Sequence, residues 1–509
     1  MTRTVPFSNI WRSALEVCFA FLCLRFVGTA LLDSYPNVGP TAVLSVGTAL
    51  LAAWQPRPAL FAFTVLAAFL SGLGQASLLT VPSPPTLVFS ALWLGITARE
   101  LWRRRRPAVL ADLPAGATCW VCLTCNLLIT CLLLSLAAQV WPAMRDAGFR
   151  TAFLSRPVFG FGDPSYFLSS SFLWLQGLFF FRLLVEPGAA HGVEGGAATP
   201  PSSARKVVDD PVPNWIVSVF TVWALTITLC FVFQATCHVP AKPMFFGGLP
   251  LRSSLPFEDW HSFGSITAAV FAFALVGWAK VARPWQVLIA AVIVVMVVSS
   301  WSRAAWMGAI IAPLIVLGRK LAWPTSAAVA ILTFGVILGI QSVTSDQGNI
   351  ARNPISERLG NLLRIDQPRL DLYHKALGMI QERPLLGHGI GSSYRTSVHY
   401  ARAGDPLATV PDFMHNFLLQ ISTEQGLPVA AVYAGLLLFL LWRGFRSGSP
   451  EGTTSPDMPS GPIFGAALAF VTYLITQMTA NSLNIYVSNQ FFFWFLAAAM
   501  ATAPQRPKG

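Results

Sequence analysis

Continuous apolar blocks are the feature that most constrains how this chain can fold. Most of them run for about 17–25 residues, which is the length of helix that crosses the hydrocarbon core of a bilayer. They lack the period-two alternation that a transmembrane β-barrel requires. The sequence therefore predicts an all-α integral membrane protein with about 12–14 transmembrane helices and one long, partly helical loop late in the chain.

Hydropathy predicts about 14 spans. They lie near residues 13–33, 40–54, 58–80, 85–101, 115–140, 166–185, 214–234, 262–281, 284–301, 304–318, 323–341, 427–442, 461–480 and 486–503. The second and tenth are short, and a partly re-entrant path is an alternative for both. The pattern divides the chain into an N-terminal transmembrane bundle (1–341), the long loop (342–426) and C-terminal transmembrane helices (427–509).

Composition agrees with a membrane protein. Apolar residues make up 54% of the chain and charged residues 11%, whereas a soluble domain carries about 25% charged residues. The net charge of +12 does not indicate nucleic acid, because the basic residues occupy helix ends and short loops. Cys119, Cys122 and Cys125 have a metal-like spacing but lie within an apolar block, which favours simple packing.

Basic residues also predict the orientation of the chain. Arg103 to Arg106 follow the fourth span and indicate a cytoplasmic loop. Counting spans from there places both termini in the cytoplasm, and the long loop on the opposite side. That loop nevertheless contains many cations: Arg352, Arg358, Arg364, Arg369, Lys375, Arg383, Arg395 and Arg402. Either an anionic ligand at the membrane surface or a solvated loop face explains them.

The long loop contains two predicted helices and a glycine turn. Residues 369–380 have apolar residues at helical spacing. Three glycines follow at alternate positions: Gly387, Gly389 and Gly391. Such glycines permit a tight turn and a close approach of the backbone to a ligand. A second short helix follows His415 and ends at Gly426, just before the next span.

Two further polar sites are predicted on the same side of the membrane. Arg303 stands between the ninth and tenth spans, after a long run without charge. An arginine at the edge of an apolar span indicates either a functional site or an interfacial anchor beside Trp301 and Trp306. Asp259 and His261 open the eighth span as an interfacial polar pair.

Three short motifs, in this order, give the chain a family resemblance. They are Ser302-Arg303-Ala-Ala-Trp306, the segment from Arg369 through Arg383-Pro384-Leu-Leu-Gly387-His-Gly389-Ile-Gly391, and His415-Asn416-Phe-Leu-Leu-Gln-Ile-Ser-Thr-Glu424-Gln-Gly426. Over about residues 260–445 the chain resembles the O-antigen ligase and O-antigen polymerase superfamily. Ala304 is a departure, since that position is often glycine in the family.

The resemblance implies a glycosyltransferase at the periplasmic face of the bacterial inner membrane, acting without a metal or another cofactor. An undecaprenyl-pyrophosphate-linked oligosaccharide would be the donor. In a polymerase the acceptor is the glycan of another lipid-linked repeat, and the product is O-antigen, capsule or exopolysaccharide. In a ligase the acceptor is the lipid A core. Membrane lipid is an expected partner, a flippase and a chain-length regulator are further candidates, and nucleic acid is not expected.

The resemblance assigns catalytic roles to Arg303, Arg369 and His415, with Arg364 as the alternative to Arg369. Arginine holds phosphate through two donors and stabilises the charge of a pyrophosphate leaving group. Histidine is a suitable base for the proton of a sugar hydroxyl. Substrate-binding roles are predicted for the remaining polar and glycine positions: His261, Arg364, Gly387, Gly389, Asn416 and Glu424. For Glu424, orienting His415 and capping the turn are the alternatives.

A transporter of lipid-linked glycans is the competing function. Such a protein would carry charged residues within several spans around a central cavity. Here Glu16 and Arg25 in the first span are the clearest mid-span charges, and the long loop has no role in transport. The sequence therefore favours the enzyme over the transporter, and over a structural scaffold.

Overall fold

A computed structural model covers the chain. It describes residues 7–32, 38–72, 83–103, 117–154, 164–185, 214–237, 244–246, 249–251, 253–257, 259–278, 281–320, 367–402, 412–447, 461–480, 483 and 487–503. The predicted span at 323–341 and the candidate residue Arg364 lie outside these ranges.

Helices dominate the described residues. They are α1 (Phe7–Leu32), α2 (Val38–Trp54), α3 (Pro56–Gly72), α4 (Pro84–Arg103), α5 (Ala117–Leu154), α6 (Pro164–Val185), α7 (Asn214–Cys237), α8 (Trp260–Ala274), α9 (Arg283–Ser299), α10 (Arg303–Lys320), α11 (Gln367–Glu382), α12 (Ser393–Thr396), α13 (Phe417–Gln425), α14 (Leu427–Ser447), α15 (Pro462–Ala480) and α16 (Val487–Ala501). A 3₁₀ turn, Ser397–Tyr400, follows α12.

The predicted class is confirmed: this is an all-α membrane protein. The described residues include four helices that are long and apolar enough to cross a membrane: Trp120–Pro142, Leu168–Val185, Trp215–Cys237 and Leu427–Ser447. Shorter apolar helices accompany them, including Arg303–Gly318 and Val487–Ala501. The exact number of spans and the three-part division of the chain stay predictions.

Helix α16 forms the centre of the bundle, and each of its residues is buried. It packs against α3, α6, α8, α14 and α15. Its middle carries large rings such as Trp494, and its last turns carry alanines, so neighbouring helices approach closely. Its first turn is polar, and Asn489 donates a hydrogen bond from Nδ2 to Ser262 Oγ at 2.7 Å. The polar end of the central helix therefore meets the start of α8.

Several helix ends meet at this same end of the bundle. The Ser253 amide donates to the Ser299 carbonyl at the end of α9 (3.3 Å), and α10 begins after the turn that follows. The Tyr373 hydroxyl of α11 donates to the Met478 carbonyl near the end of α15, at 3.5 Å. Helix α15 packs against α8, α10 and α13. The fold thus places the candidate residues of the membrane helices and those of the long loop at the same end of the bundle.

Two local features go beyond what the sequence predicts. The fifth predicted span, 115–140, agrees with the candidate span Trp120–Pro142, and α5 continues past it to Leu154 with Pro142 inside the helix. A proline removes one backbone donor, and the helix continues because the other hydrogen bonds remain. A short antiparallel hairpin also interrupts the all-α pattern, with β1 (Met244–Phe246) pairing with β2 (Leu249–Leu251). Strands of three residues are too short for a hydropathy pattern to reveal.

Candidate functional site

Arg303 is the first residue of α10, and the turn before it has an unusual backbone. Trp301 has φ +61°, the left-handed region that bulky residues rarely occupy. Its ring is buried and meets the ring of Trp306 edge-on at 6.1 Å. The Trp306 indole donates to the Val297 carbonyl at 3.0 Å. The two tryptophans thus stabilise the turn. Arg303, which is half-buried, is the first residue of the helix that follows it.

Ser302 caps α10 and meets a second candidate residue. Its hydroxyl accepts from the Ala305 amide at 3.4 Å, as expected of a serine before a helix. His261 Nδ1 lies 3.4 Å from the same hydroxyl oxygen. Asp259 caps α8 by accepting from the Ser262 amide at 2.7 Å, which fixes the position of the His261 backbone. His261 and Arg303 therefore flank Ser302.

Arg369 lies in the first turn of α11. Tyr373 stands one turn further along this helix, and burial raises the pKa of its hydroxyl while the charge of Arg369 lowers it. Since the Tyr373 hydroxyl also donates to the Met478 carbonyl, the first half of α11, which carries Arg369, lies beside the end of α15.

The glycine turn packs against protein backbone. Gly387, Gly389 and Gly391 all have positive φ, at +64°, +97° and +77°. A Cβ at Gly387 would overlap the Glu424 backbone, and one at Gly389 would overlap the Gln139 side chain. The His388 amide donates to the Thr423 carbonyl (2.9 Å) and the Gly389 amide to the Glu424 carbonyl (2.7 Å). These glycines serve the close approach of the turn to α13 and α5, and a substrate role for them stays a prediction.

Glu424 is buried beside the same turn. Its carboxylate accepts hydrogen bonds from the Ser393 hydroxyl at 2.6 Å and from the side-chain amide of Gln420. It also accepts from the backbone amides of Gly391 and Ser393. Burial raises the pKa of the carboxyl above its ordinary value, and these hydrogen bonds lower it in part. Of the two alternatives from the sequence, the contacts match the cap of the turn.

His415 has the other left-handed backbone among the described non-glycine residues, with φ +47°. Its Nε2 lies 3.4 Å from Asp412 Oδ2, and both side chains are about one third exposed. Its Nδ1 is buried, with no hydrogen-bond partner among the residues that the structure describes. The Asp412 carboxylate favours the tautomer with the proton on Nε2, which leaves the Nδ1 lone pair for another donor.

Neighbours of His415 complete this part of the site. Asn416 caps α13 by accepting from the Leu418 and Leu419 amides, both at 3.1 Å, so its side chain has a structural contact. The Tyr394 ring lies 4.9 Å from the Phe413 ring. Burial raises the pKa of the Tyr394 hydroxyl, and the Asp412 charge raises it further. Tyr394 thus packs against the segment that leads into His415.

Sequence reasoning missed Asp412, Tyr394 and Gln139. Asp412 stands three residues before His415, which is a usable signal only once the turn between them is known. Tyr394 and Gln139 reach the site from α12 and α5, far from it in sequence. The candidate residues form two groups at one end of the bundle. One group is His261 with Arg303, and the other consists of the loop residues around α13. Helix α15 packs against elements of both groups.

The fold and site define a helical membrane protein with a polar, arginine- and histidine-containing end built on a folded loop. Residues 261–434 match the family model described as O-antigen ligase. That is about a third of the chain, and it includes His261, Arg303, Arg369, His415 and Glu424. The resemblance to the O-antigen ligase and polymerase superfamily is therefore confirmed over these residues. No curated protein matches the chain.

Proposed function

We propose that this protein is a glycosyltransferase of the inner membrane of a bacterium, and that it polymerises undecaprenyl-pyrophosphate-linked repeats into surface polysaccharide. The observation that carries the proposal is the match of residues 261–434 to the O-antigen ligase family. The geometry supports it, because the elements that hold Arg303, Arg369 and His415 meet at one end of the bundle. Under this proposal that end faces the periplasm and both termini are cytoplasmic.

The donor binds through its pyrophosphate. Arg303 stands at the start of α10, where backbone amides also point outward, and both features attract an anion. Arg369 supplies a second guanidinium from α11. As the bond between the anomeric carbon and the phosphate oxygen breaks, its electron pair moves to that oxygen. The arginines stabilise the charge that develops there.

The acceptor is activated at His415. A sugar hydroxyl gives up its proton to the His415 imidazole while its oxygen attacks the anomeric carbon. The Asp412 carboxylate, 3.4 Å from Nε2, stabilises the imidazolium that forms. The left-handed backbone at His415 costs energy. In this conformation the ring lies beside Asp412, while Asn416 caps the first turn of α13.

A ligase is the second candidate, because the description of the matching family is O-antigen ligase. Both activities use the same donor and the same proton transfer, and they differ in the acceptor. The residues described above contact the donor and the reacting hydroxyl, so they serve either activity.

The purified full-length protein in liposomes distinguishes the two. It is supplied with an undecaprenyl-pyrophosphate-linked repeat, either alone or with lipid A core. A ladder of longer lipid-linked glycans from the repeat alone is expected for the polymerase. A product that forms only with lipid A core identifies the ligase. No transfer with either acceptor, from protein that remains folded, contradicts the proposed function.

A further inference from the structure

The turn between α11 and the glycine turn exposes two neighbouring leucines, to which the proposed transfer reaction assigns no role. Leu385 is 68% exposed and Leu386 is 83% exposed, and no large apolar side chain in the described part of the chain is more exposed than Leu386. Glu382 and Arg383, just before them, form an exposed ion pair at 3.6 Å. Adjacent apolar side chains beside exposed charges are typical of a segment at a membrane surface.

The backbone of this turn is fixed against the start of α14. The Leu427 amide donates to the Pro384 carbonyl at 2.8 Å. Gly426 has φ +87°, and a Cβ there would overlap the Leu385 carbonyl. The Gly387 amide donates back to the Arg383 carbonyl at 3.1 Å. The exposure of the leucines therefore belongs to a rigid turn, since its backbone has defined partners on both sides.

Helix α14 fixes the depth of the turn. It has 21 residues and a mean hydropathy of 1.7, so at ~1.5 Å per residue it has about the ~30 Å length of the hydrocarbon core. Its first residues then lie at the boundary between acyl chains and headgroups. Leu427, Leu438 and Trp442 are its large exposed apolar residues, and their spacing places them on one face. The turn docks at Leu427, where this lipid-facing surface begins.

We propose that Leu385 and Leu386 insert into the headgroup–acyl boundary of the bilayer and anchor the long loop to the membrane. The bilayer is the partner because the turn continues the lipid-facing surface of α14. The Glu382–Arg383 pair then lies among the polar headgroups, where charged side chains remain hydrated. The anchor holds the glycine turn and α13 at a constant depth, and it does not depend on the transfer reaction.

Depth-dependent quenching tests the anchor in the full-length protein. A small environment-sensitive fluorescent amino acid is introduced at position 386, and the protein is reconstituted in nanodiscs of phosphatidylethanolamine and phosphatidylglycerol. Spin-labelled lipids with the quencher either near the headgroup or deep in the acyl chain are added. Position 438 in the middle of α14 is the deep control, and position 395, an exposed site in the same loop, is the aqueous control.

The anchor predicts blue-shifted emission at 386, with stronger quenching by the shallow than by the deep quencher, the reverse order at 438, and little lipid quenching at 395. Emission at 386 that matches 395 and is quenched by iodide overturns the proposal. Blue-shifted emission at 386 that neither lipid nor iodide quenches also overturns it, because the leucines would then be covered by another protein surface.

Discussion

The two ends of helix α13 carry acidic contacts of opposite character. In its last turn, buried Glu424 accepts hydrogen bonds from Ser393, from Gln420 and from the Gly391 backbone amide. Before its N-terminal end, His415 is partly exposed, has a left-handed backbone, and keeps one ring nitrogen without a partner among the described residues. A carboxylate whose hydrogen bonds are all made, beside glycines that a Cβ would not fit, is typical of residues that maintain the fold. A strained backbone and a ring nitrogen without a partner are typical of residues that take part in a reaction.

Arg303 resembles His415 in this comparison, because the turn just before it also has a left-handed non-glycine residue, Trp301. Replacing Arg303 with Ala is expected to reduce transfer by about 10³-fold or more, since the leaving pyrophosphate loses a charged donor. Arg303→Lys keeps the charge without the two-donor geometry and is expected to recover only part of the loss. The reconstituted transfer assay measures both, normalised to protein in the vesicles. Wild-type transfer by Arg303→Ala would remove Arg303 from the site.

Replacing Gly387 tests whether the glycine turn is required for the stability of the fold. Gly387→Ala places a methyl group against the Glu424 backbone at φ +64°, and we expect a loss of about 2–4 kcal/mol in the free energy of unfolding. The matched control is Gly435→Ala in α14, where a Cβ meets nothing within 4 Å and alanine favours the helix. Thermal unfolding in detergent, followed by tryptophan fluorescence, compares them. Equal melting temperatures would show that the turn does not need glycine.

Asp412 distinguishes a positioning role from a packing role. Asp412→Asn removes the charge that stabilises the His415 imidazolium while nearly preserving shape. We expect kcat to fall by about 10–100-fold with KM little changed. The melting temperature should stay at the wild-type value, because both side chains are partly exposed. A fall in stability with unchanged kcat would instead assign Asp412 to the fold.

Replacing Glu424 with Gln is expected to give the smallest effect, a slight change in how the stability of the protein depends on pH. Because its folded pKa is raised above the ordinary value of 4.5, the ionised carboxylate is the less favourable form in the folded protein. The stability contributed by the protonated form is lost as the pH rises through the folded pKa. Glu424→Gln should therefore match the wild type at low pH and become slightly more stable than it at higher pH. Melting temperatures across that range check this, with Glu424→Leu as the variant that loses the hydrogen bonds. A glutamine variant that loses stability as the pH rises would reverse the assignment.

The sequence predicts the helices well where hydropathy and caps act locally. The predicted spans 166–185 and 461–480 differ by at most two residues from α6 and α15, because an apolar block bounded by polar residues has few alternatives in a membrane. Hydropathy does not reveal that α5 continues past its span through residues 141–154, where charged residues and Pro142 occur although the backbone stays helical. Local composition there does not show whether the hydrogen bonds continue.

The candidate site is predictable in part for a different reason. Arg303 and His415 stand out as charged or titratable residues next to apolar segments, so their residue types alone suggest a function. The pairing of His415 with Asp412, and the left-handed turn at Trp301, depend on the sign of backbone dihedrals that no residue type there requires. The three glycines predict a tight turn and a close approach of the backbone to a ligand. The described contacts show the turn packed against α13 and Gln139, and the ligand role stays a prediction.

The most direct test of the account is the turnover of His415→Ala in the reconstituted transfer assay. This variant is expected to bind the lipid-linked donor as the wild type does and to retain the wild-type melting temperature. It should lose transfer by about 10²–10⁴-fold, because the acceptor hydroxyl has lost its base. Donor binding and transfer are measured on the same vesicles. Transfer at the wild-type rate would contradict the assignment of His415, and with it the central claim that the strained end of α13 performs the chemistry.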